Sequence, residues 1–240
     1  MSEVLIQLFK DGTMLKGIWE TVYLTLSSTA IAYLIGLPLG ILLCITDRDG
    51  LKPIVWLNKI LSVIVNILRS VPFIILMVAF LPVAKFLVGK SYGPGAMIVM
   101  LVIAAAPYIA RMVESSLKEV DRGVVEAARS MGANTFQIIW KVYLPEAKPA
   151  LIVGAVISTV TVLGYSAMAS TINGGGLGQI AIFYGYNNFK DDVIWMSVLF
   201  TVIIVQVIQE VGMLIARKVD RRVRSKPKKS KKMKLEEKIS

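Results

Sequence analysis

A chain of 240 residues that is 55% hydrophobic, with a mean hydropathy of +0.67, exceeds the roughly 45–50% apolar share of soluble domains, which excludes a fold solvated by water throughout. Its net charge of +11 would suit nucleic acid or an anionic lipid surface, and the placement of the charges decides for the lipid. One cysteine, Cys44, excludes an intrachain disulfide and a cysteine-based metal cluster.

A bilayer core about 30 Å thick needs roughly 20 apolar residues in a helix that rises about 1.5 Å per residue. Residues 4–9 are apolar at helical spacing but too short to span, so they are expected to pack on a neighbouring helix or to lie in the interface. Five spans are then read at residues 22–45, 57–83, 95–109, 151–172 and 193–215. The first has an apolar run longer than the roughly 7–15 residues of a signal peptide and lacks a small-residue cleavage site, so it is expected to stay in the mature protein. Asp47, Asp49 and Gly50 supply the turn that follows. Pro38, Pro72, Pro82 and Pro107 fall in or at the ends of spans, where neighbouring helices re-satisfy the freed carbonyls.

Arg69 stands well inside the second apolar run, and a charge at that depth costs about 2.5–3.5 kcal/mol on insertion scales. It must therefore face protein or water, either as a structural anchor near Pro72 that bonds freed carbonyls or reaches Glu210, or as a charge lining a solute path.

Residues 112–148 form a polar loop read as a helix-turn-helix. Asp121 is a good N-cap, Val124, Val125, Ala128 and Met131 share one face, and Gly132 ends the first helix. Asn134 with Gln137 caps the second, Phe136, Ile139, Trp140 and Tyr143 give it bulk, and Pro145 is expected to mark its end. Helices this short are marginal in water and need a partner surface.

The fourth span is uncharged and suits a small neutral or zwitterionic solute. In it Tyr165 and Met168 share a face beside Ser166, while Gly164 and Ala167 permit close helix contact. Met168 either packs between helices or obstructs a path and moves aside. From Arg217 the sequence is basic and cannot bury a core; residues 217–240 read as a tail attracted to anionic lipid or to a partner subunit.

With the carboxyl terminus inside and the amino terminus outside, the inner segments hold Arg48, Lys52, Lys59, Arg111, Lys118, Arg122, Arg129, Lys141, Lys148 and the tail. Only Lys10, Lys16, Lys85, Lys90 and Lys190 remain outside. That asymmetry is the positive-inside pattern. Gly89-Lys90-Ser91 imitates a phosphate-binding loop, but Ala84 occupies the position of its first glycine. Gly174-Gly175-Gly176-Leu177-Gly178 follows a span instead of a strand, so it reads as a tight external turn or as a docking rim for an external binding protein.

The spacing Glu126-Ala127-Ala128, three residues, Gly132, nine residues, Val142, one residue, Leu144-Pro145 resembles the EAA signature of ABC-importer permeases, with valine where isoleucine is usual. The resemblance extends to the permease subunit of methionine-type ABC importers through Trp19-Glu20-Thr21, Ile35-Gly36-Leu37-Pro38, residues 64–76 and 106–114, Gly164-Tyr165-Ser166-Ala167-Met168 and residues 174–179. It implies an all-α polytopic membrane subunit, residues 1–216, with about five spans and a cytoplasmic coupling helix-turn-helix. It further implies a second copy of the chain, two ATPase subunits that bind ATP and magnesium, and an external substrate-binding protein. The chain itself would be no enzyme and hold no cofactor, with Glu126, Ala127, Ala128, Gly132, Leu144 and Pro145 as ATPase-coupling residues. A permease for another small solute is the nearest alternative. A stand-alone ion-coupled carrier would need intramembrane carboxylates, of which the spans offer little beyond Glu210.

The charge asymmetry predicts that reporters fused after Asp49 and Arg122 report inside, and those after Lys90 and Asn187 outside. An outside signal at Arg122 overturns both the orientation and the coupling role of the loop.

Overall fold

The computed structural model describes residues 3–168 and 172–220; of the basic tail expected from Arg217, residues 217–219 instead close the last helix, and residues 221–240 lie outside the described residues. Among the described residues every regular element is helical: α1 (Glu3–Lys10), α2 (Thr13–Thr46), α3 (Val55–Ser70), α4 (Phe73–Val88), α5 (Gly93–Lys118), α6 (Arg122–Ser130), α7 (Thr135–Ile138), α8 (Leu144–Met168), α9 (Gly176–Ile180) and α10 (Asp191–Val219). Wide π turns join α7 to α8 (Ile139–Tyr143) and follow α9 (Ala181–Gly185).

The buried centre is α5. Met97, Leu101, Ala105, Ile109 and Val113 pack there with Leu24 and Ala32 of α2 and Val162 of α8. The two long helices α2 and α5 run in the same direction and touch backbone to backbone, since a Cβ at Gly36 would meet Ile109 Cγ2 at 2.7 Å and one at Gly40 would meet the Ala110 carbonyl oxygen at 2.5 Å. Close approach of this kind replaces the hydrophobic drive that lipid cannot supply. The amino-terminal α1 packs through Leu5 and Leu8 against Met14, Leu177, Ile180 and Val193.

Among the described residues four helices are long and apolar enough to cross a membrane, with a fifth crossing if α3 and α4 count as one. The span expected over residues 57–83, with Pro72 as a tolerated irregularity, is two helices. It bends by 112° between Ser70 and Phe73. Pro72 lacks an N–H and pushes the residue before it out of the helical region; Val71 and Pro72 are accordingly extended, with ψ of 129° and 136°.

The third crossing continues past the expected end at 109 to Lys118, because Arg111, Glu114 and Lys118 follow at helical spacing and pair with one another. Pro145 does not end the second arm of the hairpin. The stretch Thr135–Met168 is helical over 34 residues, and the π turn, in which Leu144 N–H donates to Ile139 O, widens the ladder just before the proline.

Enlarging Gly40 should disturb α2 against α5. Overpacking costs about 1–3 kcal/mol, and a chain of this size loses about 2–4 °C of thermal midpoint per kcal/mol. Gly40→Leu is expected to lower the midpoint of the detergent-solubilised protein accordingly, and an unchanged midpoint would place the two helices further apart.

Candidate coupling and translocation sites

The hairpin is built from local rules. Asp121 Oδ1 accepts from Gly123 N–H at 2.6 Å to open α6. At its end Gly132 takes φ +81°, its N–H donates to Arg129 O at 3.0 Å, and Ala133 N–H donates to Ala128 O at 3.2 Å, the pairing of a Schellman motif. Asn134 and Gln137 then exchange side-chain to backbone hydrogen bonds at 2.9 Å each, a complete capping box.

The expected face of α6 divides. Ala128 is buried with Leu51 and Ile138, and Val125 and Val142 pack on that cluster. Val124 and Met131 point outward instead, Met131 at 81% exposure, together with Phe136 and Trp140, whose rings lie 5.9 Å apart. Glu126, Ala127 and Pro145 are also exposed, whereas Leu144 is half-buried. The hairpin thus buries Ala128 and Ile138 toward the bundle and leaves exposed an apolar surface with charges of both signs, among them Glu126 and Arg129.

A charge network that sequence reading did not assemble stands under this hairpin. Glu114, nearly out of solvent, receives Arg111 at 2.5 Å and Lys118 at 2.8 Å. Arg111 also donates to Asn66 Oδ1 at 3.0 Å and Ser62 O at 3.3 Å on α3. Lys118 reaches Asp47 at 2.6 Å, in the turn after α2. The Lys118 hydrogen bond holds the Asp47 carboxyl below its ordinary pKa, so this contact is present at neutral pH and is lost as pH falls through that lowered value. Closer to the hairpin, Arg122 meets Asp49 at 3.3 Å and Arg129 donates to Leu51 O at 3.4 Å. A cavity of about 370 Å³ separates the Asp47–Leu51 turn from α6, with Cys44, Glu126 and Tyr143 on its wall. The i, i+3 and i+4 spacing of Arg111, Glu114 and Lys118 was the available signal.

The expected path residues lie at the other end of α8. Tyr165 stacks on Phe73 of α4, centroids 4.8 Å apart and 7° from parallel. Ser166 is buried and donates to Leu163 O at 2.7 Å; Met168 is 48% exposed. Of the two small residues expected at close contacts, Ala167 lies against Gly178, whose Cβ would come within 2.7 Å of it, while a Cβ at Gly164 would meet nothing within the chain. Arg69 does not reach Glu210. It lies over the Tyr108 ring, 5.9 Å from the centroid, and makes no ion pair among the described residues. The glycine-rich turn is held from the far end of α2, where Glu20 accepts from Gly176 N–H at 2.9 Å and Thr21 from Leu177 N–H at 2.8 Å.

Residues 21–225 match the family model described as the binding-protein-dependent transport system inner membrane component. The chain belongs to this family. It is 46% identical over 209 residues to the probable D-methionine transport system permease protein MetI of Vibrio cholerae, covering 87% of this chain and 93% of that one. It is 45% identical over 181 residues to the methionine import system permease protein MetP of Bacillus subtilis, covering 75% and 82%. A solved structure described as inward-facing conformations of the MetNI methionine ABC transporter superposes with a TM-score of 0.87 at 44% identity, covering 92% of this chain and 100% of that one. An amino acid ABC transporter with histidines shares the fold at 18% identity and a TM-score of 0.74.

The two ion-pair sites should differ in weight. Breaking a buried pair costs about 3–5 kcal/mol, less here because Lys118 is 45% exposed, whereas an exposed pair such as Arg122–Asp49 contributes about 0–1 kcal/mol. Glu114→Gln is expected to lower the thermal midpoint by several degrees and Arg122→Ala barely to move it. Equal shifts would remove Glu114 from its central position.

Proposed function

We propose that this family member is the permease subunit of an ATP-driven importer that carries methionine across the cytoplasmic membrane. The supporting observation is the surface of the signature hairpin: Met131, Phe136 and Trp140 are exposed, on two arms whose turn is fixed by Gly132. Aromatic and methionine side chains are enriched in docking cores, and the occupant is a separate ATPase subunit that holds ATP and magnesium. The names of relatives that match most of the chain supply methionine as cargo.

The mechanism follows from continuity. When ATP binding draws two ATPase subunits together, the hairpins seated on them move, and each second arm passes without interruption into α8. The helix that carries Tyr165, Ser166 and Met168 is therefore displaced directly. A second copy of the chain would cover the α8 stripe of Ile157, Thr161, Gly164 and Met168, positions spaced for one helical face, and would bring two Met168 side chains to the axis, where they obstruct the resting path. An external binding protein delivers the solute at the opposite end, with the amino terminus on that side and the carboxyl terminus inside.

The test is reconstitution with the ATPase and the binding protein in liposomes. ATP-dependent methionine uptake is expected, and its absence with retained uptake of another amino acid would change the substrate. Gly132→Val forces a β-branched residue into a left-handed backbone that costs about 1–2 kcal/mol while meeting no steric obstacle within 4 Å. It should insert normally, retain less than a tenth of the ATPase on purification and lose uptake. Full retention with full uptake would remove the hairpin from coupling.

A further inference from the structure

Two arginines of the apolar segments are in different states, Arg111 half-buried and Arg69 exposed. Arg111 is fully engaged by Glu114, Asn66 and the Ser62 carbonyl. Arg69, the penultimate residue of α3 before the break, has no carboxylate or carbonyl partner among the described residues, and its guanidinium carbon lies 5.9 Å from the centroid of the Tyr108 ring. It opens on a cavity of about 110 Å³ walled by Phe73, Ala104, Tyr108 and Tyr165. Ala104 and Tyr108 stand near the middle of α5, which runs from Gly93 to Lys118.

An unpaired guanidinium beside a cavity is fitted to receive an anion that is present for part of the cycle. Its planar fork of donors matches a carboxylate. The cavity is well below the roughly 300–1,000 Å³ of a site that encloses a drug-sized ligand, so it takes the head of a small solute and leaves the remainder at its mouth. There the stacked Phe73 and Tyr165 rings offer a surface on which a thioether is favourably placed.

We propose that Arg69 binds the α-carboxylate of the transported amino acid in transit, with Tyr108 positioning the guanidinium and the Phe73–Tyr165 pair supporting the side chain. The inference rests on the transport reading above and assigns the site within it.

Binding of radiolabelled methionine is measured on the detergent-solubilised complex with its ATPase and without the binding protein. Saturable binding is expected in the wild type, with methioninol, which lacks the carboxylate, competing at least tenfold less well. Arg69→Ala should lose at least tenfold in affinity, and Arg69→Lys, which keeps the charge but not the fork, should fall between. Retention of ATPase on purification checks that each variant is assembled. No saturable binding to the wild type, equal competition by methioninol, or an Arg69→Ala isotherm equal to the wild type overturns the proposal, even where liposomes import methionine. Carboxylate-dependent, Arg69-dependent binding of methionine in a complex that fails to import it leaves the site standing and overturns the transport reading alone.

Discussion

The Glu114 carboxylate is nearly shut off from solvent and still holds two cations, Arg111 on the side facing α3 and Lys118 on the side facing the turn after α2. A lone charge there would be expelled or neutralised, because its desolvation is repaid only when the remaining donors and acceptors are matched. The matching is supplied from three elements. Arg111 brings in Asn66 and the Ser62 carbonyl, and Lys118 brings in Asp47. The result is a tie across α2, α3 and α5 at the level where the chain leaves the spans, and the hairpin begins only four residues after Lys118. The hairpin adds two weak contacts of its own, Arg122 to Asp49 and Arg129 to the Leu51 carbonyl. With the apolar cluster of Leu51, Ala128 and Ile138, these contacts seat the hairpin on the turn after α2, so the two move as one piece.

Backbone satisfaction imposes the second constraint. Inside lipid an interrupted helix is tolerated only where protein or a cavity covers the interruption. The break at Val71–Pro72 is covered only on one side within the chain, where Phe73 is buried against Tyr165, while Arg69, Ser70 and Pro72 are exposed and call for a neighbour or a water-filled path. The π turn over Ile139–Tyr143 absorbs the approach to Pro145 and Pro149 and keeps α8 whole. One interruption makes a pocket and the other preserves a lever, although both are occasioned by proline.

Legibility in the sequence followed the range of the interaction. The Gly132 end of α6 and the Asn134–Gln137 box were readable because each depends on residues a few positions apart. The bend at Pro72 was not readable as a reversal of direction, since a hydropathy window records apolar length and ignores axis direction. Pro145 was misread as a stop because a wide turn before a proline has no compositional mark. Val124 and Met131 share the helical face of Ala128 by spacing, yet only Val125 and Ala128 find a wall to pack on, which depends on where Leu51 and Ile138 lie. The clasp of Glu20 and Thr21 on the Gly176 turn spans 156 residues, and nothing local announces it.

These constraints bear on how one end of the molecule informs the other. The route through α8 is covalent and helical, so a tilt of the hairpin arm reaches Tyr165 with little loss. The route through Lys118, Glu114 and Arg111 reaches Asn66 on α3, three residues before Arg69. Tyr165 and Arg69 wall the same small cavity. A displacement of the hairpin therefore arrives at that cavity from two sides, through a rigid helix on one and a chain of paired charges on the other. Two routes that converge change the cavity's shape when they move unequally, and a shape change at a charged cavity alters anion affinity, which is the differential interaction that any two-state transport cycle requires.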